Sequence, residues 1–287
     1  MLEQRESRND LVRYPAIASI AVCLIAAAGC SPDLRSTEFA CTDLSDCVAM
    51  GRVCQQGWCV LPGGVTPDGG STGRDAQTCA PPTVDGQESS TLAAGESLTW
   101  SHVVGEGDDR LLVVGISFSS MAVGAAIASV QTDDGELTLL QNNGVASIVR
   151  SEIWALSDPP SGTQTIQVEF TGSVAAVGGS ISLFGVDQTS PTDTALGASG
   201  TAGDPAVTVP SSPGELVVGC VSAVSNGAGG LNVGSGQTEL WNNVAGGVLP
   251  VRGAGGVAPG AASVTLDWSV TGNTAWAISA VNVQACP

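Results

Sequence analysis

The feature that most restricts the fold is an internal duplication within residues 79–287. Leu112-Val-Val-Gly reappears as Leu216-Val-Val-Gly, and Ser151-Glu-Ile-Trp as Thr238-Glu-Leu-Trp. Ser161-Gly-Thr-Gln-Thr-Ile-Gln-Val-Glu-Phe has a counterpart in Pro259-Gly-Ala-Ala-Ser-Val-Thr-Leu-Asp-Trp. Each half closes on an Ile-Ser strand, Ile181-Ser182 and Ile278-Ser279, shortly before Gln188 and Gln284. Leu111 to Phe118 is a continuous apolar, β-branched run. Thr165 to Phe170 alternates, with Ile166, Val168 and Phe170 on one face and Gln167 and Glu169 on the other. Ser129 to Leu140 reads as a hairpin with Asp134-Gly135 in its turn. No amphipathic segment of helical length occurs. The expected fold is all-β: a two-sheet, jelly-roll-like sandwich of about eight to ten strands, built from two quasi-repeats. A small disulfide-stapled module is expected to precede it.

Charge narrows the function classes. The 287 residues carry nine basic side chains, all arginine, against 27 acidic ones, a net charge of −18. Nucleic-acid binding is therefore excluded as an expectation, because phosphate affinity needs a basic footprint. One histidine excludes any site that needs two.

The first thirty residues read as an address. Arg5, Arg8 and Arg13 are followed by an apolar run from Ala16 to Gly29. That run is too short for a spanning helix, which needs about 20 residues. A charged start, a short apolar middle and a small-residue end read as a secretory signal over 1–29. Ala27-Ala28-Gly29-Cys30 resembles the lipobox of bacterial lipoproteins, with Ala27 where that family usually has Leu or Val. The resemblance implies cleavage before Cys30 and acylation of its thiol by palmitate-type chains. Each buried CH₂ adds about 0.8 kcal/mol, and several chains anchor stably. Ser31 in place of Asp implies the outer membrane within that family, facing the periplasm or the surface.

Residues 30–40 then act as a tether, followed by Cys41, Cys47, Cys54 and Cys59 within 41–60. In an exported chain such a dense, even set reads as disulfides, with three pairings open. Crosslinks substitute for the core that so short a segment cannot form. The arrangement resembles short cysteine-rich modules of exported bacterial lipoproteins, a resemblance that implies no activity. Residues 61–78 are rich in Gly, Pro and Ser without apolar periodicity, a flexible linker. Cys79 and Cys286 bracket the β region and are expected to bridge its ends. Cys220 is left over, a small buried hydrophobe.

Candidate chemistry is sparse. Glycan hydrolysis needs two carboxylates about 5–10 Å apart. Glu169 and Asp267 occupy matched positions and would pair only if the halves face each other; otherwise they are solvated outer-face acids. A Ser-His-Asp site would have to use His102, with no Gly-x-Ser-x-Gly elbow beside it. Calcium, the one cofactor considered, would use Asp108 and Asp109 or Asp133 and Asp134, residues equally suited to turns. Sugar binding would use exposed aromatics. Trp154 and Trp241 fall at matched motif positions, which points to core packing. Trp100 and Trp276 lack aromatic counterparts and are the candidates for an exposed face. Asn242 and Asn243, like Asn142 and Asn143, would offer amides. From Leu-Val-Val-Gly to Phe184-Gly-Val-Asp-Gln188 the region resembles β domains of secreted and surface bacterial proteins, which supports fold and location only. The expectation is a non-catalytic envelope lipoprotein whose sandwich contacts a protein or polysaccharide. The alternatives are an exported glycan hydrolase or lyase and a structural component without ligand.

Overall fold

The computed structural model describes 80–286, apart from 120–123, 147, 225–229 and 273, together with the backbone of 53–55 and 58–60. The chain divides into two units, Met1–Asp75 and Ala76–Pro287. In the first, β1 (Val53–Gln55) and β2 (Trp58–Val60) form an antiparallel pair that sets Cys54 opposite Cys59. The signal over 1–29, Cys30, the tether over 30–40, Cys41, Cys47, the side chains of Cys54 and Cys59, the linker over 61–78 and Cys79 lie outside the described residues. Cys286 is disulfide-bonded.

The second unit is built from strands, fifteen among the described residues where about eight to ten are expected from sequence. The first repeat holds β3 (Thr83–Val104), β4 (Leu111–Ser119), β5 (Ile127–Thr132), β6 (Gly135–Glu136), β7 (Thr138–Val145), β8 (Val149–Ser157) and β9 (Gly162–Phe184). The second holds β10 (Ala195–Gly200), β11 (Ala206–Val209), β12 (Leu216–Val224), β13 (Leu231–Val233), β14 (Thr238–Ala245), β15 (Val251–Pro259), β16 (Val264–Val270) and β17 (Trp276–Val283). β3 and β9 each serve two layers. Their Thr83 and Phe184 ends pair together beside β4, and their Val104 and Gly162 ends pair together beside β5. Register shifts on either side of Gly95 mark where β3 passes between layers. The second repeat cuts the same path into β10 and β11, and into β16 and β17. Pro205 lies in the first of these breaks and has no N–H with which to extend a ladder.

Counted this way, the larger sheet of each repeat runs first, eighth, third, sixth, fifth, and the smaller runs second, seventh, fourth. That is the jelly-roll order, with the fifth strand beside the sixth rather than the fourth. The quasi-repeats are therefore two jelly rolls, packed through their larger sheets. Leu111, Val113, Ile153, Val177 and Ile181 of the first meet Val218, Cys220, Trp241, Val257 and Val281 of the second in a central core. Outside it lie two further cores. Leu112, Ile116 and Phe118 pack under Ile166, Val168 and Phe170. Val217, Val221 and Ile278 pack under Val264, Leu266 and Trp268.

The faces correct parts of the motif matching. Val264, Leu266 and Trp268 take the roles of Ile166, Val168 and Phe170, as expected. Leu112, however, belongs to an outer core, whereas Leu216 packs against the central one. The two Leu-Val-Val-Gly motifs lie in equivalent strands but one residue out of phase, which reverses their faces. Ile181 and Ile278 are likewise on opposite faces. The better match is Thr138-Leu-Leu-Gln-Asn-Asn with Thr238-Glu-Leu-Trp-Asn-Asn. Both strands carry a register shift at the same step, Leu139/Gln141 and Glu239/Trp241. Trp241 thus corresponds to Gln141, and Trp154 to Gly256, so the two tryptophans are not equivalent.

The central core is lined by small residues. A Cβ on Gly115 would come within 2.9 Å of the Trp241 ring, and one on Gly179 or Gly255 would overlap that ring. Ser117 Oγ lies 3.3 Å from Cys220 Sγ and donates to the Val221 carbonyl at 2.8 Å. Ser151 Oγ donates to the Cys220 carbonyl at 2.7 Å. Cys220 is free and buried, and burial pushes its thiol up to about 11. Since the thiolate is the nucleophile, iodoacetamide at pH 8 should leave Cys220 unlabelled in the folded protein and label it after denaturation. Labelling at Cys220 before unfolding, located by peptide mass spectrometry, would contradict this packing.

Candidate functional site

The aromatic candidates for an exposed platform, Trp100 and Trp276, are both buried at 8 % exposure. Their polar edges are used internally: Trp100 Nε1 donates to Ser180 Oγ at 2.9 Å and Trp276 Nε1 to the Ala202 carbonyl at 3.1 Å. Both lie on inward faces of jelly-roll strands, so neither can stack on a ligand. Asn242 is exposed, but its amide is engaged by the Leu231 carbonyl at 2.7 Å and Glu239 Oε2 at 2.8 Å. Asn243 joins the two repeats by donating to Ser89 Oγ at 2.9 Å.

The acidic candidates are dispersed. Asp133 and Asp134 form the turn between β5 and β6, one residue earlier than expected, and Asp133 Oδ2 accepts from the Thr165 amide at 2.9 Å. Asp109 adopts a left-handed turn conformation, φ 54°. The carbonyls of Asp108 and Asp109 accept from Gly185 and Val186. Among the described residues no three metal-ligating side chains come together. The two repeats do face each other, but Glu169 and Asp267 stand on the outward faces of β9 and β16. Three cores separate them, about 30 Å at roughly 10 Å per layer, so they cannot act as a pair. His102 is fully buried, its Nδ1 3.0 Å from Ser180 Oγ. That hydroxyl is equally sealed and cannot serve as a nucleophile.

The residues that do come together lie on β8, where the sequence pattern points to packing. Arg150, Glu152 and Trp154 alternate along this strand and share the face toward the outer core of the first repeat. The Arg150 guanidinium lies 5.9 Å over the Phe118 ring. Trp154 is half-buried and packs on the same core. Its Nε1 donates to Glu152 Oε2 at 3.2 Å, and Arg150 Nη2 lies 3.6 Å from Glu152 Oε1. On the neighbouring edge strand β7, Asn142 lies opposite Glu152, and Leu139 opposite Trp154. Both are exposed.

Glu152 is 4 % exposed. Burial pushes its carboxyl above the usual carboxylate range, opposed by the Arg150 charge and the Trp154 hydrogen bond. The second repeat supplies an internal control. From the β7/β14 register, Arg150 matches Arg252, Glu152 matches Ala254 and Trp154 matches Gly256. A jelly roll of this kind closes with Ala at the middle position, so the fold does not require a carboxylate there. A buried charge costs several kcal/mol before its partners repay it. The signal is present in the sequence, in the repeated Asn-Asn and Val-Arg pairs, but the chance agreement of Glu-Ile-Trp with Glu-Leu-Trp masks it. No protein-family model, curated protein or solved structure matches the chain.

Proposed function

We propose that the chain is an exported lipoprotein, held to the outer membrane through acylated Cys30, whose tandem jelly rolls make non-catalytic contact with an envelope polysaccharide or protein. The observation that carries the contact is the Arg150–Glu152–Trp154 row, built in one repeat and replaced by Arg, Ala and Gly in the other. The lipobox-like Ala27-Ala28-Gly29-Cys30 and the linker over 61–78 support tethered display. The wide separation of Glu169 and Asp267 argues against the hydrolase built on that pair.

The full-length acylated protein, extracted in detergent, should be retained on isolated envelope polysaccharide or on an envelope protein without releasing reducing ends. Palmitate label should enter the parent and not Cys30→Ala. Equal labelling of the two would remove the tether. New reducing ends would replace display with hydrolysis.

A further inference from the structure

We infer that the Arg150–Glu152–Trp154 row, with Asn142 beside it, is a binding site for a neutral saccharide. The inference rests on the display reading above and narrows it to one ligand class and one face of one repeat.

Sugar recognition needs three things in one place: a flat apolar platform, an acceptor for hydroxyl protons and a donor to hydroxyl oxygens. Trp154 is the platform. Its indole is already tied by Nε1 to Glu152 Oε2, so less rotamer freedom is lost on stacking. Leu139, 38 % exposed, extends the apolar surface beside it. The Glu152 carboxylate is the acceptor. A carboxylate has about four lone-pair sites, of which Trp154 Nε1 occupies one, while Arg150 Nη2 stands off at ion-pair distance, 3.6 Å from Oε1. The donors flank it. The Arg150 side chain is 31 % exposed and Glu152's only 6 %, so the exposed part of the guanidinium, not its buried Nε, is what a ligand meets. A ligand that meets the guanidinium therefore reaches the carboxylate at its edge. Asn142 adds an exposed amide from β7, where Gly144 leaves no side chain to cover Arg150.

The second repeat shows the same position with the function absent. Ala254 and Gly256 remove acceptor and platform. The Trp268 ring closes over Gly256, 3.2 Å from where a Cβ there would sit, and Asn242 is held by Leu231 and Glu239.

Charge selects the ligand. A chain at −18 repels uronates, sulfates and phosphates, and the carboxylate itself disfavours an anion. A neutral hexose chain is the fitting occupant.

The test is titration of the full-length protein with cellohexaose, maltohexaose and polygalacturonate, read by calorimetry and tryptophan fluorescence. At least one neutral hexamer should bind and polygalacturonate should not. Removing the platform or the charged acceptor should weaken binding roughly tenfold or more. Trp154→Ala and Glu152→Gln make those two changes. Glu152→Ala, the residue that the second repeat carries, should fold normally and show the same loss. Asn242→Ala should bind like the parent. Neutral-sugar binding that survives Trp154→Ala and Glu152→Gln overturns the site while leaving display intact. Retention on an envelope protein with no response to any sugar overturns the ligand class in the same way. Polygalacturonate binding strengthened by Glu152→Gln overturns it as well.

Discussion

Trp241→Ala is expected to cost about 3–5 kcal/mol, within the range for emptying a buried tryptophan site. For a domain of this size that lowers the melting midpoint by roughly 6–20 °C. The reason is location. Trp241 projects from β14 into the central core and rests on Gly115 and Gly179 of the other jelly roll and Gly255 of its own. Removing it leaves a void between two β sheets, where a rigid ladder on each side prevents collapse. Trp241→Phe should recover part of the loss, since it keeps an aromatic ring and removes Nε1, a buried donor without a partner among the described residues, but lacks the Cζ2–Cη2 edge that rests on Gly115 and Gly255. The reciprocal change tests the same contact. Gly115→Ala puts a Cβ 2.9 Å from Trp241 Cζ2 and 3.0 Å from Cys220 Sγ, and it should be destabilising alone yet less so in a Trp241→Ala background. That non-additivity, from a double-mutant cycle in urea, is the decisive reading. Strict additivity, or a Trp241→Ala cost under about 1 kcal/mol, would mean that the indole does not hold the two repeats together. Because both repeats share this core, each variant should show one unfolding transition by circular dichroism.

How far the fold could be read from residues depends on which strand is considered. The alternation of Ile166, Val168 and Phe170 with polar neighbours recurs in Val264, Leu266 and Trp268. These strands cover one face only, so period and face were both legible. β4 and β12 are buried on both faces. A continuous apolar run shows no alternation, so nothing in Leu-Val-Val-Gly reveals which residue faces which core, and the apparent match slips by one. The same gap hid the layering. A strand apolar on both sides is consistent with a sandwich whose two sheets are buried or with one stacked against a second sandwich. The glycines and serines of the central interface, Gly115, Gly179, Gly253, Gly255, Ser117 and Ser151, resemble turn composition unless their strand positions are known. The site was hidden for a related reason. Glu152 and Trp154 alternate with buried Ser151, Ile153 and Ala155, and the apparent match to Glu239-Leu-Trp241 makes Trp154 read as core filler, so nothing in the pattern marks Glu152 as a buried carboxylate.

Stability should rise by roughly 3 kcal/mol between pH 4 and pH 6.5 through His102 alone, at about 1.4 kcal/mol per pKa unit. Burial pulls its imidazole from 6.5 down to about 4, against the attraction of Asp85. The ring is fully enclosed, Nδ1 faces Ser180 Oγ, and Nε2 has no partner among the described residues. Ser180 Oγ already accepts from Trp100 Nε1. Asp85 Oδ2 accepts from the Gly105 amide at 2.7 Å and Ser182 Oγ at 3.0 Å, so it offers the imidazolium field rather than contact. The sign follows. Between pH 4 and 6.5 the unfolded chain holds a proton on this histidine and the folded chain does not, so acid favours unfolding. The contribution is complete above 6.5 and is lost as pH falls toward 4. Glu152 acts in the opposite sense, because its raised pKa lets the folded state keep a proton that the unfolded state loses from 4.5 upward. The two can be separated by subtraction. The stability-versus-pH curve of His102→Gln should lack the rising limb, and that of Glu152→Gln should rise more steeply than the parent's. This is the chain's single histidine, so one imidazole resonance reports the folded value directly. Titration of that resonance near 6.5 in the native protein would overturn the prediction, and a shift only at the acid end of the range would support it.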